Sequence, residues 1–533
     1  FSSDQSGKVT HVHIASMYLP VDFRGRTLLW LGRASDAQSL PLVEGLFGST
    51  AQPDLRQDIV AAVGIHGTSD AVVPILIRWL NSKEPTDVRS QAAEWLGFHP
   101  SAASVVALSR AARSDAARDV RREAAEGLGD NTLPAATDSA IAVARTATDR
   151  DARREAVEGL GQKDSDRALA ALVALAQSDP DVDVQREAVE TLGEVPDGRG
   201  LGPVRDIARR HSRSDVRREA VETLGEHLTP TDAIPTLKAI ATGDPDPDVQ
   251  REAIETLGQL GGSEALAAVT EVARTHPNSD VRRQAIETLG QLAPTAETVR
   301  LLSTIAVSDQ SEDVQRRAVE TLGEIGDLGL PAVINIARTH PSTDVRRKAI
   351  ETIGEHAPPA QALDLLGQIA RRDPNPDVQR KAVEALGALH DDRAYRLLVE
   401  FARTHPVTDV RRKAIEALGE TGRTDSVIAV LSDLARGAED PDIAREAVET
   451  LGELQDARAL TAVARIARAP GDVDVRRKAI ETYAQAASPD SPHALLKGVL
   501  AADAPEDIYS RVLEELEGMD GGAGIPALID AAR

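Results

Sequence analysis

The chain has 533 residues, and single hydrophobic cores stop growing at roughly 250–300 residues, so one globular core is excluded. Its net charge of −24 argues against a nucleic-acid-binding surface, which needs clustered Lys and Arg. The absence of cysteine excludes disulfides and cysteine-ligated zinc, and no stretch approaches the ~20 apolar residues of a membrane span.

Residues 1–35 are expected to form an N-terminal cap that is partly strand, because the alternating segments KVTHVHI and RTLLWLG have strand-like patterns. A terminal repeat needs such a cover over its apolar end. A strand would place His11 and His13 on one face, but no third zinc ligand is evident. The chain starts at Phe1 instead of Met, which indicates a processed or excised sequence.

From residue 36 to residue 533 one block recurs, with Asp-Val-Arg-Arg at its start and Leu-Gly at its end. Fifteen anchor aspartates, spaced 31 to 33 residues apart, open the copies: Asp54, Asp87, Asp119, Asp151, Asp183, Asp215, Asp248, Asp280, Asp313, Asp344, Asp377, Asp409, Asp442, Asp474 and Asp507. In the copy DVRREAVETLG the apolar residues form one stripe of a helix. Asp215 is expected to cap this helix and Gly225 to end it.

A second apolar helix precedes each block, as in ALAAVTEVARTHPN. Two short antiparallel helices per unit must stack on their neighbours to bury their apolar faces. The period of about 32 residues, with these opening and closing motifs, resembles the HEAT family, particularly the HEAT-like repeats of phycobilin lyases. The resemblance implies an all-α fold: a right-handed α-α superhelix of about fifteen helix pairs, ending here in a half repeat, as in a bacterial HEAT-repeat solenoid protein.

A longer period of 64 to 65 residues is superimposed on the first. Blocks with the sequence DVQR follow acidic turns, whereas most DVRR blocks follow turns that contain a histidine. These histidines are His211, His276, His340 and His405. Two repeats separate them by roughly 20 Å, so no two can share a metal, and they are expected to cap helix C-termini. The acidic turns superficially match a calcium loop but lack its glycine; helix capping is expected, with calcium as the alternative.

Three columns of charged residues follow the second helices. Glu lies seven residues after nearly every anchor and Arg lies three after it, so we expect Arg–Glu pairs within each helix. The column four residues after the anchor runs Glu123, Glu155, Glu187, Glu219, Glu252, Gln284, Arg317, Lys348, Lys381 and Lys413, and then Glu446 and Lys478 break the trend. The resemblance places second helices on the concave side, which predicts an acidic first half and a basic second half. The alternative is that the residue at this surface position varies by sequence drift, without a functional role.

The aromatic residues are concentrated near the N-terminus. All three tryptophans and four of the five phenylalanines lie within the first 98 residues. They either cover the end of the repeat array or anchor a partner. The candidate partner-binding residues are therefore Trp30, Trp79, Trp95 and Phe98 in this block and Arg317, Lys348, Lys381 and Lys413 in the basic column.

No catalytic motif is present: the chain lacks HExxH, GxSxG and a phosphate loop, and the glycines of DGRGLG are expected to form a connector. We predict a non-catalytic scaffold without metal or cofactor that binds protein or peptide partners along the concave face or through the aromatic block. Head-to-tail self-assembly is an alternative, and bilin-lyase-like cofactor handling is a more distant one. The Arg-rich, Lys-poor composition favours a periplasmic or secreted location over the cytoplasm.

Overall fold

The computed structural model describes residues 2–3, 9–11, 21–34, 39–50, 52–67, 69–486, 506–517 and 529. Strand β1 (Ser2–Ser3) pairs with β2 (Val9–His11) in a small antiparallel sheet. The remaining regular structure of the described chain is helical, which confirms the predicted all-α class. The chain divides into a first unit, residues 1–272, and a second unit, residues 273–533.

The described residues contain thirty α-helices. They are α1 (Val21–Ala34), α2 (Ser39–Ser49), α3 (Pro53–Gly64), α4 (Ser69–Leu80), α5 (Thr86–Gly97), α6 (Ala102–Ser114), α7 (Arg118–Asp130), α8 (Pro134–Thr146), α9 (Arg150–Gly161), α10 (Asp166–Ser178), α11 (Val182–Glu194), α12 (Leu201–Arg210), α13 (Ser214–His227), α14 (Pro230–Gly243), α15 (Pro247–Leu260), α16 (Gly262–Thr275), α17 (Ser279–Leu292), α18 (Ala296–Ser308), α19 (Glu312–Glu324), α20 (Leu330–Thr339), α21 (Thr343–His356), α22 (Pro359–Arg372), α23 (Pro376–Ala388), α24 (Asp392–Thr404), α25 (Thr408–Glu420), α26 (Thr424–Gly437), α27 (Pro441–Glu453), α28 (Ala457–Arg468), α29 (Val473–Ala486) and α30 (Glu506–Glu517). Short 3-10 turns occupy Pro196–Gly198 and Gly326–Leu328.

Every anchor aspartate is the second residue of a helix, so the predicted second helices are α3, each odd-numbered helix from α5 to α29, and α30. The cap lies two residues earlier than predicted. The N-cap of α15 is Asp246, whose carboxylate accepts a hydrogen bond from the N–H of the anchor Asp248 at 2.9 Å. The N-cap of α13 is Arg213, without a side-chain cap, so Asp215 does not cap this helix. An anchor carboxylate in the first turn still interacts favourably with the helix dipole.

In most copies the glycine that closes the block does not end the helix, although α3, α5 and α9 do end at Gly64, Gly97 and Gly161. Helix α13 continues beyond Gly225 to His227. A Cβ atom at Gly225 would lie 2.2 Å from Cγ2 of Thr256 in the next second helix, and one at Gly290 would lie 2.3 Å from Cγ2 of Thr321. Glycine is therefore required because successive second helices approach closely, with the threonine methyl of one repeat filling the space above the glycine of the preceding repeat.

The apolar stripe forms the core as predicted. Val216, Ala220, Val221 and Leu224 of α13 have no exposed surface, and α13 packs against its own first helix α12 and against the second helices α11 and α15. Within each unit, neighbouring second helices pack more closely than neighbouring first helices.

The predicted strand RTLLWLG is wrong, because it lies within helix α1. Helix α1 packs against α3, and a Cβ atom at Gly32 would lie 2.2 Å from the carbonyl oxygen of Ala62. This is the packing of a second helix. Asp22 lies 32 residues before Asp54 and ten before Gly32, so α1 carries a sixteenth, degenerate copy of the block. The same spacing could have revealed it in the sequence.

Candidate protein-binding face

The exposed side of the second helices is built from four positions of each block: the anchor and the residues three, four and seven after it. We call this surface the second-helix face. In α13 these residues are Asp215, Arg218, Glu219 and Glu222. Helical spacing places them on adjacent turns of one side. Three carboxylates and one guanidinium give this repeat of the first unit a net charge of −2 on the face.

Ion pairs connect neighbouring repeats along the face of the first unit. The arginine three residues after one anchor bridges to the glutamate four residues after the next anchor. Four such bridges are described: Arg122–Glu155, Arg154–Glu187, Arg186–Glu219 and Arg218–Glu252. Arg186 Nε, for example, donates to Glu219 Oε2 at 2.7 Å. The expected pairing within a helix is described here only for Arg122 and Glu126, at 4.0 Å, so the ladder has different partners from those predicted.

In the second unit the same face is arranged differently between Arg317 and Lys413, while Arg412 and Glu446 repeat the bridge of the first unit at 2.8 Å. Arg317 contacts Glu287 at 2.6 Å and Glu320 at 2.9 Å. Lys348 lies 3.4 Å from Glu320 and 3.6 Å from Glu351. The other two basic residues pair within their own helices, Lys381 with Glu384 and Lys413 with Glu416, at 2.7 and 2.8 Å.

The predicted basic half of the face is therefore electrically neutral. In α21 the four positions hold Asp344, Arg347, Lys348 and Glu351, which are two acids and two bases. The side chains of Arg317, Lys348, Lys381 and Lys413 are only 21–24% exposed, because each lies against the glutamates that it pairs with. Partner binding at these four residues stays a prediction.

On the second-helix face, four glutamates of the first unit and Glu320 of the second unit have pKa shifts in opposite directions. In the first unit burial, followed by repulsion from neighbouring carboxylates, raises the pKa of Glu94, Glu158, Glu190 and Glu222. In the second unit burial would also raise the pKa of Glu320, but hydrogen bonds from Arg317 and the charge of Lys348 outweigh it and the pKa is lowered. Uncompensated negative charge thus accumulates on the face of the first unit.

The repeat pattern matches a known family. A family model described as HEAT repeats matches the chain six times, at residues 73–153, 137–206, 201–290, 268–332, 330–419 and 396–484. The chain belongs to the HEAT-repeat family. Its helix pairs are therefore those of a HEAT solenoid, a fold typical of scaffold and protein-binding proteins.

Several solved structures resemble this HEAT chain. Escherichia coli YibA is 21% identical over 51% of this chain and 98% of its own, with a TM-score of 0.30. A mutant of Kap121p is 12% identical over 96% of this chain and 69% of its own, with a TM-score of 0.42. Human deoxyhypusine hydroxylase in complex with glycerol is 22% identical over 49% and 99%, with a TM-score of 0.22. No curated protein matches the sequence.

The aromatic block of the HEAT chain has a buried and an exposed part. Trp79 is 4% exposed and stacks on Phe47 with ring centroids 4.5 Å apart, so it packs the interior and presents no surface to a partner. Trp95 is half-buried against Gly64 and contacts the edge of Phe98, with centroids 5.8 Å apart. Phe98 and Trp30 are 56% and 54% exposed. Among the residues of this block whose exposure the structure describes, these last two have most of their surface open to solvent.

Buried ion pairs at alternate junctions were missed by sequence reasoning. Arg217 Nε and Nη2 donate to the two carboxylate oxygens of Asp244 in the next turn, both at 2.8 Å, and Nη1 donates to the carbonyl of His211 at 2.7 Å. Arg282–Asp309 and Arg346–Asp373 repeat this bidentate arrangement. The alternation of DVRR and DVQR blocks in the sequence could have indicated these pairs, because of these two kinds of block only DVRR has an arginine two residues after the anchor.

The carboxylate of Asp244 is already paired with Arg217, and no three potential metal ligands converge among the described residues.

The recurring histidines lie directly after helix C-termini, as predicted, and Nε2 of His211 and of His405 lies 3.3 and 3.0 Å from a carbonyl oxygen in the last turn of the preceding first helix, that of Gln177 and of Ala370. In each turn Nδ1 accepts a hydrogen bond at 3.1–3.2 Å from the backbone N–H two residues later, for His211, His276, His340 and His405. The carboxylate of Asp244 accepts the same bond in an acidic turn.

The remaining predictions concern short segments. DGRGLG forms a connector with a 3-10 turn, in which Gly198 has a φ of +65° and a Cβ atom at Gly200 would lie 1.9 Å from the carbonyl of Leu192. His13 lies outside the described residues, so the His11–His13 zinc pair stays a prediction. Across the described helices, none combines the length and apolar character needed to cross a bilayer.

Proposed function

We propose that this HEAT-repeat chain is a non-catalytic scaffold that holds a basic protein or peptide along the second-helix face of its first unit. The supporting observation is the charge of that face, where Asp215, Glu219 and Glu222 accompany a single guanidinium, Arg218. Complementary charge speeds the encounter with a partner and fixes its register. The expected partner has several Lys or Arg residues in an extended arrangement.

Packing of the helices supports this proposal. The carboxylates are carried by stacked helices whose apolar residues are fully buried, so the backbone positions that bear them are held close together. Burial and mutual repulsion raise the pKa of Glu190 and Glu222. Cations from a partner would relieve this repulsion, which makes binding of a basic chain favourable.

Charge reversal on the face tests the proposal. The probe is a fluorescein-labelled deca-lysine peptide, titrated with the full chain and followed by fluorescence anisotropy at low salt. Glu187→Lys with Glu219→Lys should weaken binding about tenfold or more, because two carboxylates of the face become cations. The control, Asp206→Lys with Glu264→Lys, makes the same change in net charge on the exposed side of first helices and should have an effect of about twofold. Equal losses in both variants, or no binding by the unmodified chain, would contradict the proposal.

Head-to-tail assembly is a separate proposal, since the residues at both chain ends lie largely outside the described part. Light scattering coupled to size exclusion tests it. A mass that rises with protein concentration would support assembly, and a constant monomer mass would rule it out.

A further inference from the structure

The ion-pair ladder of the first unit lacks one rung, that is, one of the Arg–Glu bridges between neighbouring repeats. Glu155, Glu187, Glu219 and Glu252 each receive an arginine from the preceding repeat. Glu123 occupies the same position of its block, four residues after Asp119. The residue that would reach it from the preceding helix α5, three after Asp87, is Ser90. No guanidinium can therefore arrive at Glu123 from that side.

The charge around Glu123 is not balanced from within the chain. Arg122 Nη2 lies 3.5 Å from Glu123, but Arg122 also contacts Glu155 at 3.1 Å and Glu126 at 4.0 Å. One guanidinium thus serves three carboxylates. Glu94, one turn after Ser90 on α5, adds a fourth carboxylate that interacts with Glu123.

One neutral oxygen atom at the same junction is also unsatisfied. Ser90 Oγ is buried and has no hydrogen-bond partner among the described residues. Buried polar atoms are nearly always hydrogen-bonded, so this hydroxyl marks a place where a partner is missing. The side chain of Glu123 is only 19% exposed, and burial followed by the charge of Glu126 raises its pKa to about 7. The junction therefore lacks both positive charge and a hydrogen-bond partner for Ser90 Oγ.

We propose that an arginine side chain of the bound partner completes the ladder at Glu123, with its guanidinium held between Glu94, Glu123 and Glu126. This inference rests on the proposed function. The other rungs are filled by guanidinium groups, and a guanidinium offers five N–H donors in a planar fork, enough for the carboxylates and Ser90 Oγ together. Lysine offers a compact charge with three donors and matches this junction less well.

Binding of a fluorescein-labelled deca-arginine peptide to the full chain tests the site. Ser90→Arg supplies the missing guanidinium from within the chain, and Glu123→Gln removes the central carboxylate. Each should weaken peptide binding about tenfold. The matched control is Glu190→Gln, which removes one carboxylate beside complete rungs and should change affinity about twofold.

The outcomes separate this inference from the proposed function. If Glu190→Gln weakens binding as much as Glu123→Gln, the anchor at Glu123 is overturned while the acidic face remains the binding surface. If the unmodified chain binds no basic peptide, the proposed function fails and the anchor fails with it.

A spectroscopic measurement gives an independent readout, which also serves if Ser90→Arg does not fold. Carboxyl NMR should show the pKa of Glu123 falling when deca-arginine is added, because a guanidinium stabilises the ionised form. Calcium chloride at equal charge should leave this pKa unchanged. A fall with calcium and none with deca-arginine would overturn the proposal in favour of an inorganic cation.

Discussion

At the scale of single residues, neighbouring arginines of the repeat have unequal structural roles. The side chain of Arg217 is 7% exposed and makes a bidentate contact with Asp244, which is 3% exposed. The next residue, Arg218, is 46% exposed and contacts Glu252 at 3.3 Å. Removing one partner of a buried pair leaves an uncompensated charge, whereas an exposed pair is screened by water.

Substitution of these two arginines should therefore have very different effects on stability. Arg217→Met should lower the free energy of unfolding by about 3–5 kcal/mol, because Asp244 is left buried without its partner. Arg218→Gln, the control, should lower it by less than about 1 kcal/mol. Urea unfolding followed by circular dichroism measures both. Similar losses in the two variants would show that burial of the Arg217–Asp244 pair has no energetic consequence.

The glycine at the end of each block provides a second prediction. Alanine normally stabilises a helix interior by about 1 kcal/mol relative to glycine. At Gly225 the added methyl would meet Thr256 Cγ2 at 2.2 Å, and overpacking of this kind costs about 1–3 kcal/mol. Gly225→Ala should therefore lower the melting temperature.

Two further variants test that cause. Thr256→Ser removes the methyl and should restore much of the stability of Gly225→Ala. Gly202→Ala, at a site with no atom within 4 Å, should not be destabilising. A Gly225→Ala chain that melts above the unmodified chain would contradict the close-approach explanation.

At the scale of helices and turns, the double period reflects two kinds of junction. One kind joins an arginine to an aspartate, as in Arg282–Asp309. In the other kind glutamine replaces arginine: Gln315 Nε2 donates to the carbonyl of Asp309 at 2.6 Å, while its Oε1 has no partner among the described residues. The next turn holds His340, whose Nε2 is also buried without a partner there. Charged and neutral junctions thus alternate.

The neutral turns should make stability depend on pH. Burial, assisted by the charge of Arg282, lowers the pKa of His276 below 6.5. Between the folded-state and unfolded-state pKa values the unfolded chain binds more protons, so this contribution to stability is present above pH 6.5 and is lost as the pH falls through the folded pKa. Acidification from pH 7.5 to 5 should therefore destabilise the chain.

His276→Asn isolates that contribution. The amide oxygen of asparagine can accept the N–H of Asn278, as aspartate does in the acidic turns, but it does not titrate. The stability of the unmodified chain relative to this variant should fall between pH 7.5 and 5, as measured by urea unfolding at several pH values. Parallel pH profiles would show that His276 does not contribute.

At the scale of the whole molecule, one fold carries two electrostatic surfaces. The first unit has glutamate four residues after its anchors from Glu123 to Glu252, and the second has Arg or Lys from Arg317 to Lys413. This one column decides whether the neighbouring arginine bridges to the next repeat or turns to its own anchor, as Arg347 does to Asp344 at 3.2 Å. Family membership explains the stacking, and this column explains the charge.

Introducing glutamates at the corresponding positions of the second unit should create a binding surface for basic peptides there. In a chain already carrying Glu187→Lys and Glu219→Lys, the further changes Lys348→Glu and Lys381→Glu should restore deca-lysine binding, because Arg316 and Arg347 can then form cross-repeat bridges and the face becomes acidic. Lys348→Gln with Lys381→Gln, the control, should restore it less. Fluorescence anisotropy measures both; no gain in the glutamate variant would show that the acidic column does not determine binding.

The sequence by itself determined the period, the helix pairs, the buried stripes and the HEAT family, because these depend on patterns within one helix or on repetition along the chain. Tertiary structure decided which arginine is buried, what the glycine packs against, and which glutamates Lys348 and its neighbours pair with. Each of these depends on side chains in adjacent repeats, such as the 27 residues between Arg217 and Asp244 or the 33 between Arg186 and Glu219. Spacing places such residues in neighbouring layers, but only the packed backbone decides which of several charged partners comes within hydrogen-bonding distance.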